Sequence, residues 1–196
     1  NNGEISESRL DDGCRRILTV KENRGILDWK ESNFSLNKAL STVGSATNRA
    51  TEREIAAAAV TVVKNENNTL PLVVKEKQKI LMLCPYDNER AQMIMGYNRA
   101  KEAGLIPDSA EVKVVRYNGS NMDAVKENID WADTVFVNSE ISTASRFSSN
   151  HWLYSNVEDI VDYTHEKGKK SIVMSVDKPY DVQMYANADA ILAVYG

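Results

Sequence analysis

Ile80-Leu81-Met82-Leu83-Cys84 is a continuous apolar run of strand length, and a polar stretch with helical character, Glu89 to Ala103, follows it. The same alternation then repeats. Val112-Lys113-Val114-Val115, Thr134-Val135-Phe136-Val137, Ser171-Ile172-Val173-Met174-Ser175-Val176 and Ala190-Ile191-Leu192-Ala193-Val194 are further short apolar runs. Between them lie Met122 to Trp131, Trp152 to Glu166 and a short helical turn over Asp181 to Ala186. Runs that are apolar at nearly every position belong to strands covered on both faces. Strands alternating with helices imply right-handed crossovers, which place helices on both sides of a parallel sheet. The expected fold class is α/β, a three-layer sandwich with a mostly parallel five-stranded sheet.

Upstream of this region Ile5, Leu10, Cys14, Ile17 and Leu18 recur at helical spacing as far as about Val20, which predicts a preceding amphipathic helix. Gly25 follows its basic end, and Ile26, Leu27 and Trp29 form an apolar patch that needs a covering surface, supplied by the next domain or by something outside this chain. A polar connector is expected from Glu31 to Asn48. A second helix is expected to open near Thr51, where Thr51 and Glu54 fit a capping box. Its Ile55, Ala56, Ala59, Val60, Val62 and Val63 make one small-residue face, and Lys64-Asn65-Glu66-Asn67-Asn68 reads as its stop. Pro71 then turns Thr69-Leu70-Pro71-Leu72 into an extended entry to the first strand.

Composition narrows the function classes. The 196 residues carry 24 Lys+Arg against 28 Asp+Glu, a formal charge of −4, and the basic residues are scattered rather than striped, so no nucleic-acid partner is expected. At 42% hydrophobic and 27% charged the chain has the composition of a globular protein, and no apolar run approaches the roughly 18 residues that a membrane span needs. The first residue is Asn1 rather than Met, with no signal-type segment after it, so the chain reads as a processed or excised piece. Cys14 and Cys84 lack CxxC spacing and are expected to be unpaired, and no metal ligand set is apparent.

Ligands of parallel sheets meet the carboxyl ends of the strands. The loops to test are therefore Pro85-Tyr86-Asp87-Asn88, Asn118-Gly119-Ser120-Asn121, Asn138-Ser139-Glu140-Ile141-Ser142 and Asp177-Lys178-Pro179-Tyr180-Asp181. The first has no Gly, so a pyrophosphate cannot approach its backbone, and no GxxxxGK[ST] occurs anywhere; no cofactor is expected. A phosphorylated receiver domain would need a Lys after the fifth strand, where Tyr195-Gly196 stands. His151 and His165 sit at the two ends of one predicted helix, away from any Ser or Cys nucleophile, and read as structural. Glycosidic bond cleavage uses two carboxyl groups roughly 5–9.5 Å apart. Asp87, Glu140, Asp177 and Asp181 could reach one rim, although Asp181 before Val182 fits a helix cap. The candidate ligand contacts are Glu140, Asn138 and Asp87.

Glu54-Ile55-Ala56-Ala57-Ala58-Ala59-Val60-Thr61-Val62-Val63-Lys64-Asn65-Glu66-Asn67-Asn68-Thr69-Leu70-Pro71-Leu72 resembles the opening of the second domain of glycoside hydrolase family 3, where an Ala-rich helix ends in a "VVLLKN…LPL" pattern. Ser8 to Lys21 resembles the helix that closes the family's first domain, with its "V.RIL..K" core. Pro179-Tyr180-Asp181 and Tyr195-Gly196 resemble the "PYD…YG" signature of the β-N-acetylhexosaminidase branch.

The resemblance implies a flavodoxin-like or Rossmann-like sandwich over residues 51–196, preceded in residues 1–50 by the tail of a catalytic (β/α)8 barrel and a linker. In this family the nucleophile is an Asp of the barrel. In the N-acetylhexosaminidase branch the acid/base is a His within a "KHFPGHG"-type loop, which this chain lacks, so no catalytic residue is carried over. The β-glucosidase branch places an acid/base Glu on the second domain, but Pro179-Tyr180-Asp181 points to the other branch, so Glu140 does not receive that role. The family continues beyond the equivalent of Tyr195-Gly196 to a "GKLPV"-like segment, so the last element of the sandwich is expected to be missing. The expectation is a noncatalytic domain that stabilises the barrel and borders a sugar site, its partners being that barrel and a glycan. The alternative is a free-standing carbohydrate- or protein-binding module, with Trp152 or Tyr86 as a stacking platform.

Overall fold

The computed structural model describes residues 3–30, 34–146, 148 and 150–195. Asn1, part of the Glu31–Asn48 connector and the Gly196 of the Tyr195-Gly196 match lie outside the described residues. The chain divides into two compact units, Asn1–Arg53 and Glu54–Gly196.

In the first unit α1 (Glu7–Asn23) is capped by Ser6, whose side chain accepts from the Arg9 amide. It ends at Gly25, held at φ 66°, with the Ile26 amide bonded to Lys21 O and the Gly25 amide to Glu22 O. That double bond is the glycine-dependent stop that satisfies the last carbonyls of a helix. The apolar residues of α1 are exposed, as are Ile26, Leu27 and Trp29. The connector is not wholly irregular, because α2 (Leu36–Thr42) forms within it on a Ser35 cap.

The boundary between the units falls inside α3 (Ala46–Ala59). This helix starts earlier than the Thr51 capping box suggested. Ser45 receives the Asn48 amide at 3.3 Å and takes the cap, while the Thr51 hydroxyl bonds back to Thr47 O inside the helix. It also ends earlier, at Ala59, and Thr61–Asn65 is a strand, β1. The reason is local: Val60-Thr61-Val62-Val63 are all β-branched and favour extended backbone, and a neighbouring strand edge is there to pair with them. The Asn65 side chain, bonded to both the amide and the carbonyl of Leu70 at 2.9 Å, closes the turn that follows.

The remaining elements are β2 (Lys79–Cys84), α4 (Asp87–Glu102), β3 (Glu111–Arg116), α5 (Met122–Trp131), β4 (Thr134–Glu140), α6 (Trp152–Glu166), β5 (Lys170–Val176) and β6 (Ala190–Val194). The sheet is six-stranded in the order β1-β6-β5-β4-β2-β3. Strands β2 to β6 pair in parallel, and β1 is the additional strand, antiparallel to β6 at one edge. The architecture is thus the expected α/β sandwich with one more strand.

Strand alternation sorts the sheet into two faces. Leu81, Leu83, Val135, Val137, Val173 and Ile191 enter one continuous core with Val125 and Ile129 of α5 and Val157, Ile160 and Val161 of α6. Helix α4 packs against β2 and β3, and Gly96 and Tyr97 line a small cavity there with Ile80, Met82 and Phe136. On this second face Met174, Val176, Leu192 and Val194 are only half-buried. The connection from β5 to β6 is a 3₁₀ turn, Tyr180–Gln183, shorter than the turn expected over Asp181 to Ala186. From β2 the chain passes to β3, then crosses back over β2 to β4 and onward. The order therefore reverses at the crevice between β2 and β4, the place where such sheets hold ligands. Among the described residues no helix is long and apolar enough to cross a membrane.

Candidate functional site

Two elements feed the crevice. After β2, Tyr86 leads into α4, whose first turn carries Asp87, Asn88 and Glu89. Carboxylates suit a helix N-terminus because the unpaired amides there carry partial positive charge. At the end of β4, Asn138 and Glu140 project to the α4 face and Ser139 to the other, since strand residues alternate.

On the α4 face these residues converge. Glu89 and Asn138 are each 7% exposed, and the Asn138 Nδ2 donates to Glu89 Oε2 at 2.8 Å. Asn138 Oδ1 is buried without a hydrogen-bond partner, and beyond Asn138 the buried Glu89 carboxyl bonds with Glu140. The Glu140 carboxyl bears on Glu89, and burial together with this neighbour raises the Glu89 pKa to about 7, against the pull of the Asn138 donor. Burial and the neighbouring carboxyl disfavour the charged form of Glu89, so it keeps its proton well above the usual carboxylate range. The two carboxyl groups line a cavity of about 340 Å³ with Asn88, Gln92, Met93, Met174, Val176 and Val194. Beneath it the buried Tyr117 hydroxyl donates to Asn138 O at 2.6 Å, and burial holds that phenol well above the usual tyrosine range, so it remains a donor. Tyr117→Phe is expected to cost about 1–1.5 kcal/mol in urea unfolding, the worth of one buried hydrogen bond.

On the opposite face lies a second polar cluster. Asp181 is fully buried and accepts from three hydroxyls: Ser139 and Ser175, both in short contacts, and Tyr185 at 2.8 Å. Asp181 is therefore an anchor that ties the Pro179-Tyr180-Asp181 turn to β4 and β5, rather than the cap of a helix or a member of a rim. Next to this turn is an apolar groove of about 730 Å³ lined by Ile141, Thr143, Lys178, Pro179, Tyr180, Val182 and Gln183. Among the described residues that line it, the charged one is Lys178, which donates to Ser142 O at 2.8 Å, whereas the facing carboxyl groups line the smaller cavity.

Of the residues predicted from sequence, Asn138 and Glu140 are brought together. Asp87 is not. Its carboxylate pairs with Arg116 at 3.0 Å and Arg90 at 3.7 Å and does not line the cavity. Glu89 was missed, although its place in the first helical turn after β2, at the reversal of strand order, is the signal that could have found it. Arg146 approaches Glu140 at 4.0 Å and stands over the Tyr86 ring at 5.6 Å, which leaves that face of the ring occupied. Trp152 is half-buried and meets Tyr86 and Tyr117 edge-on. His151 caps α6, accepting the Leu153 amide at Nδ1, and His165 is exposed in the last turn of that helix. Cys14 and Cys84 are free thiols, and burial pushes Cys84 up to about 11. Among the described residues no group of three or more His, Cys, Asp or Glu is placed to hold a metal ion.

No family model matches the chain. It is 31% identical over 80 residues to a β-N-acetylglucosaminidase/β-glucosidase of Cellulomonas fimi, covering 41% of this chain and 14% of that protein. It is 23% identical over an alignment of 212 residues to β-hexosaminidase A of Pseudoalteromonas piscicida, covering 98% of this chain and 33% of that protein. Among solved structures, the β-glucosidase from Listeria innocua superimposes with TM-score 0.60 at 19% identity, over 99% of this chain and 29% of that one. A fungal multi-domain GH3 β-N-acetylglucosaminidase gives TM-score 0.59 at 21% identity, over 97% and 20%. The chain spans a third or less of the length of each of these proteins. The sequence relatives carry β-N-acetylglucosaminidase, β-glucosidase or β-hexosaminidase names, and the solved structures share the α/β fold of this chain.

Proposed function

We propose that this chain is the noncatalytic C-terminal portion of a β-N-acetylhexosaminidase-like glycoside hydrolase, one that hydrolyses O-glycosyl bonds. The observation that carries the reading is the alignment with β-hexosaminidase A over 98% of this chain but only a third of that protein. Residues 1–50 are read as the tail of a catalytic barrel and its linker, and residues 51–196 as the sandwich. The exposed Ile17, Leu18, Ile26, Leu27 and Trp29 support a docking role for the first segment, because apolar side chains grouped on a surface mark contact with another protein surface. Asn138 and Glu140, at the carboxyl ends of the strands, are read as the edge that borders a sugar. Asp87, tied to Arg116, takes no part in this reading.

The isolated chain is expected to release no chromophore from an aryl N-acetyl-β-glucosaminide. Release that Glu140→Gln abolishes would overturn the noncatalytic assignment. The binding-module alternative predicts heat in calorimetry with N-acetylglucosamine oligomers at millimolar concentration. Engagement of Tyr86 and Trp152 by their neighbours supports the opposite expectation, that no heat is seen.

A further inference from the structure

We propose that the cavity between α4 and the ends of β4, β5 and β6 is a binding site for a small organic ammonium, a primary –NH₃⁺ on a short aliphatic body. The case rests on which polar atoms lack partners. Asn138 Oδ1 is an acceptor without a partner, the Glu89 carboxyl beside it meets only an Asn138 donor and the Glu140 carboxyl, and both residues are more than nine-tenths covered and line the cavity. Burying an acceptor without a donor costs about 1–3 kcal/mol, so an orphan amide oxygen beside two facing carboxyl groups marks a place where a donor-rich group is accommodated. Glu140 supplies a third acceptor at the mouth.

An ammonium offers three donors and no acceptor, which complements this set. A hydroxyl brings an acceptor of its own, and the Asn138 Nδ2 donor is already engaged with Glu89. A divalent cation of the calcium type takes six to eight oxygen ligands, more than these side chains provide. The walls argue the same way, since Met93, Met174, Val176 and Val194 suit an alkyl body and not a hydrated ion. The charge balance also favours a cation. Of the nearby arginines, Arg90 and Arg116 are paired with Asp87, and only Arg146 reaches Glu140, at 4.0 Å. Without a bound cation, the proton that Glu89 retains supplies the missing positive charge. An incoming ammonium takes its place and the proton passes to solvent. This inference does not depend on the glycosidase reading.

The test uses the full 196-residue chain with ¹³C-methyl methionine, titrated with n-butylammonium chloride and, separately, n-butanol. The expected result is saturable shifts of the Met93 and Met174 methyls with butylammonium, at least tenfold tighter than with butanol. Affinity should rise about tenfold from about pH 6 to about pH 8, with a proton released on binding at the lower pH. Glu140→Gln and Glu89→Gln should each weaken binding at least tenfold, and Asp87→Asn should change it less than twofold. Glu140 is half-exposed at a strand end, so its variant keeps the test decisive if Glu89→Gln fails to fold. Equal binding of the alcohol, affinity independent of pH, retention of binding in Glu140→Gln, or no saturable shift up to about 100 mM would each overturn the proposal.

Discussion

Asp181→Ala should unfold at markedly lower denaturant than the parent chain, with a loss of about 3–5 kcal/mol. The carboxyl is fully buried and takes hydroxyl hydrogens from Ser139, Ser175 and Tyr185. Removing it leaves three hydroxyl groups in a dry site and a cavity beside them, and unpaired buried polar groups are among the few causes of losses this large. Asp181→Asn is the informative companion. It keeps the volume, and because hydroxyls can rotate to accept from the amide, it should cost only about 1–2 kcal/mol. Equal losses in the two variants would show that shape, and not the hydrogen-bond network, holds the turn. Urea unfolding followed by tryptophan fluorescence gives both numbers, since Trp152 packs onto the same core.

Glu89→Gln should have an effect whose size depends on pH. Burial and the adjacent Glu140 raise the Glu89 pKa from 4.5 to about 7. A carboxyl with a raised pKa holds its proton longer in the folded state than in the unfolded one. Its favourable contribution is therefore complete below about pH 4.5 and is lost as pH climbs through about 7. The parent chain should lose about 2–3 kcal/mol over that window relative to the variant, which has no proton to lose. Above pH 8 the Gln variant should be the more stable of the two. Glu140→Gln should reduce the slope without removing it, because burial is the larger cause of the shift. Parallel stability curves for parent and Glu89→Gln between pH 4.5 and 8 would contradict retention of a proton by Glu89.

The parallel sheet was legible because each of its strands is an apolar run bounded by polar helices, a pattern with few structural solutions. What escaped was decided by neighbours distant in sequence. Val60-Thr61-Val62-Val63 follows an Ala-rich helix without a break in hydrophobicity, and only the open edge of β6 selects the strand. Asp87 and Glu89 look alike in sequence, two acids in the same first helical turn. One rotates outward to Arg116 and the other inward to Asn138, a choice made by α4's orientation on the sheet. Asp181 had a correct local signal, a polar residue at the start of a turn, but a cap and a buried anchor cannot be told apart until Ser139 and Tyr185 are brought beside it.

Strand β1 has a consequence for biosynthesis. Its pairing partner is β6, so Thr61 meets Ala193 and Asn65 meets Ala190, residues from opposite ends of the second unit. During translation β2 to β5 can pair with one another as they emerge, while β1 waits with its amides and its exposed valines unmatched until the last strand has left the ribosome. A ribosome stalled before residue 190 would therefore carry a nascent chain with β1 as a sticky, unpaired strand. Emergence of β6, and not the formation of the central sheet, is the step that conceals it.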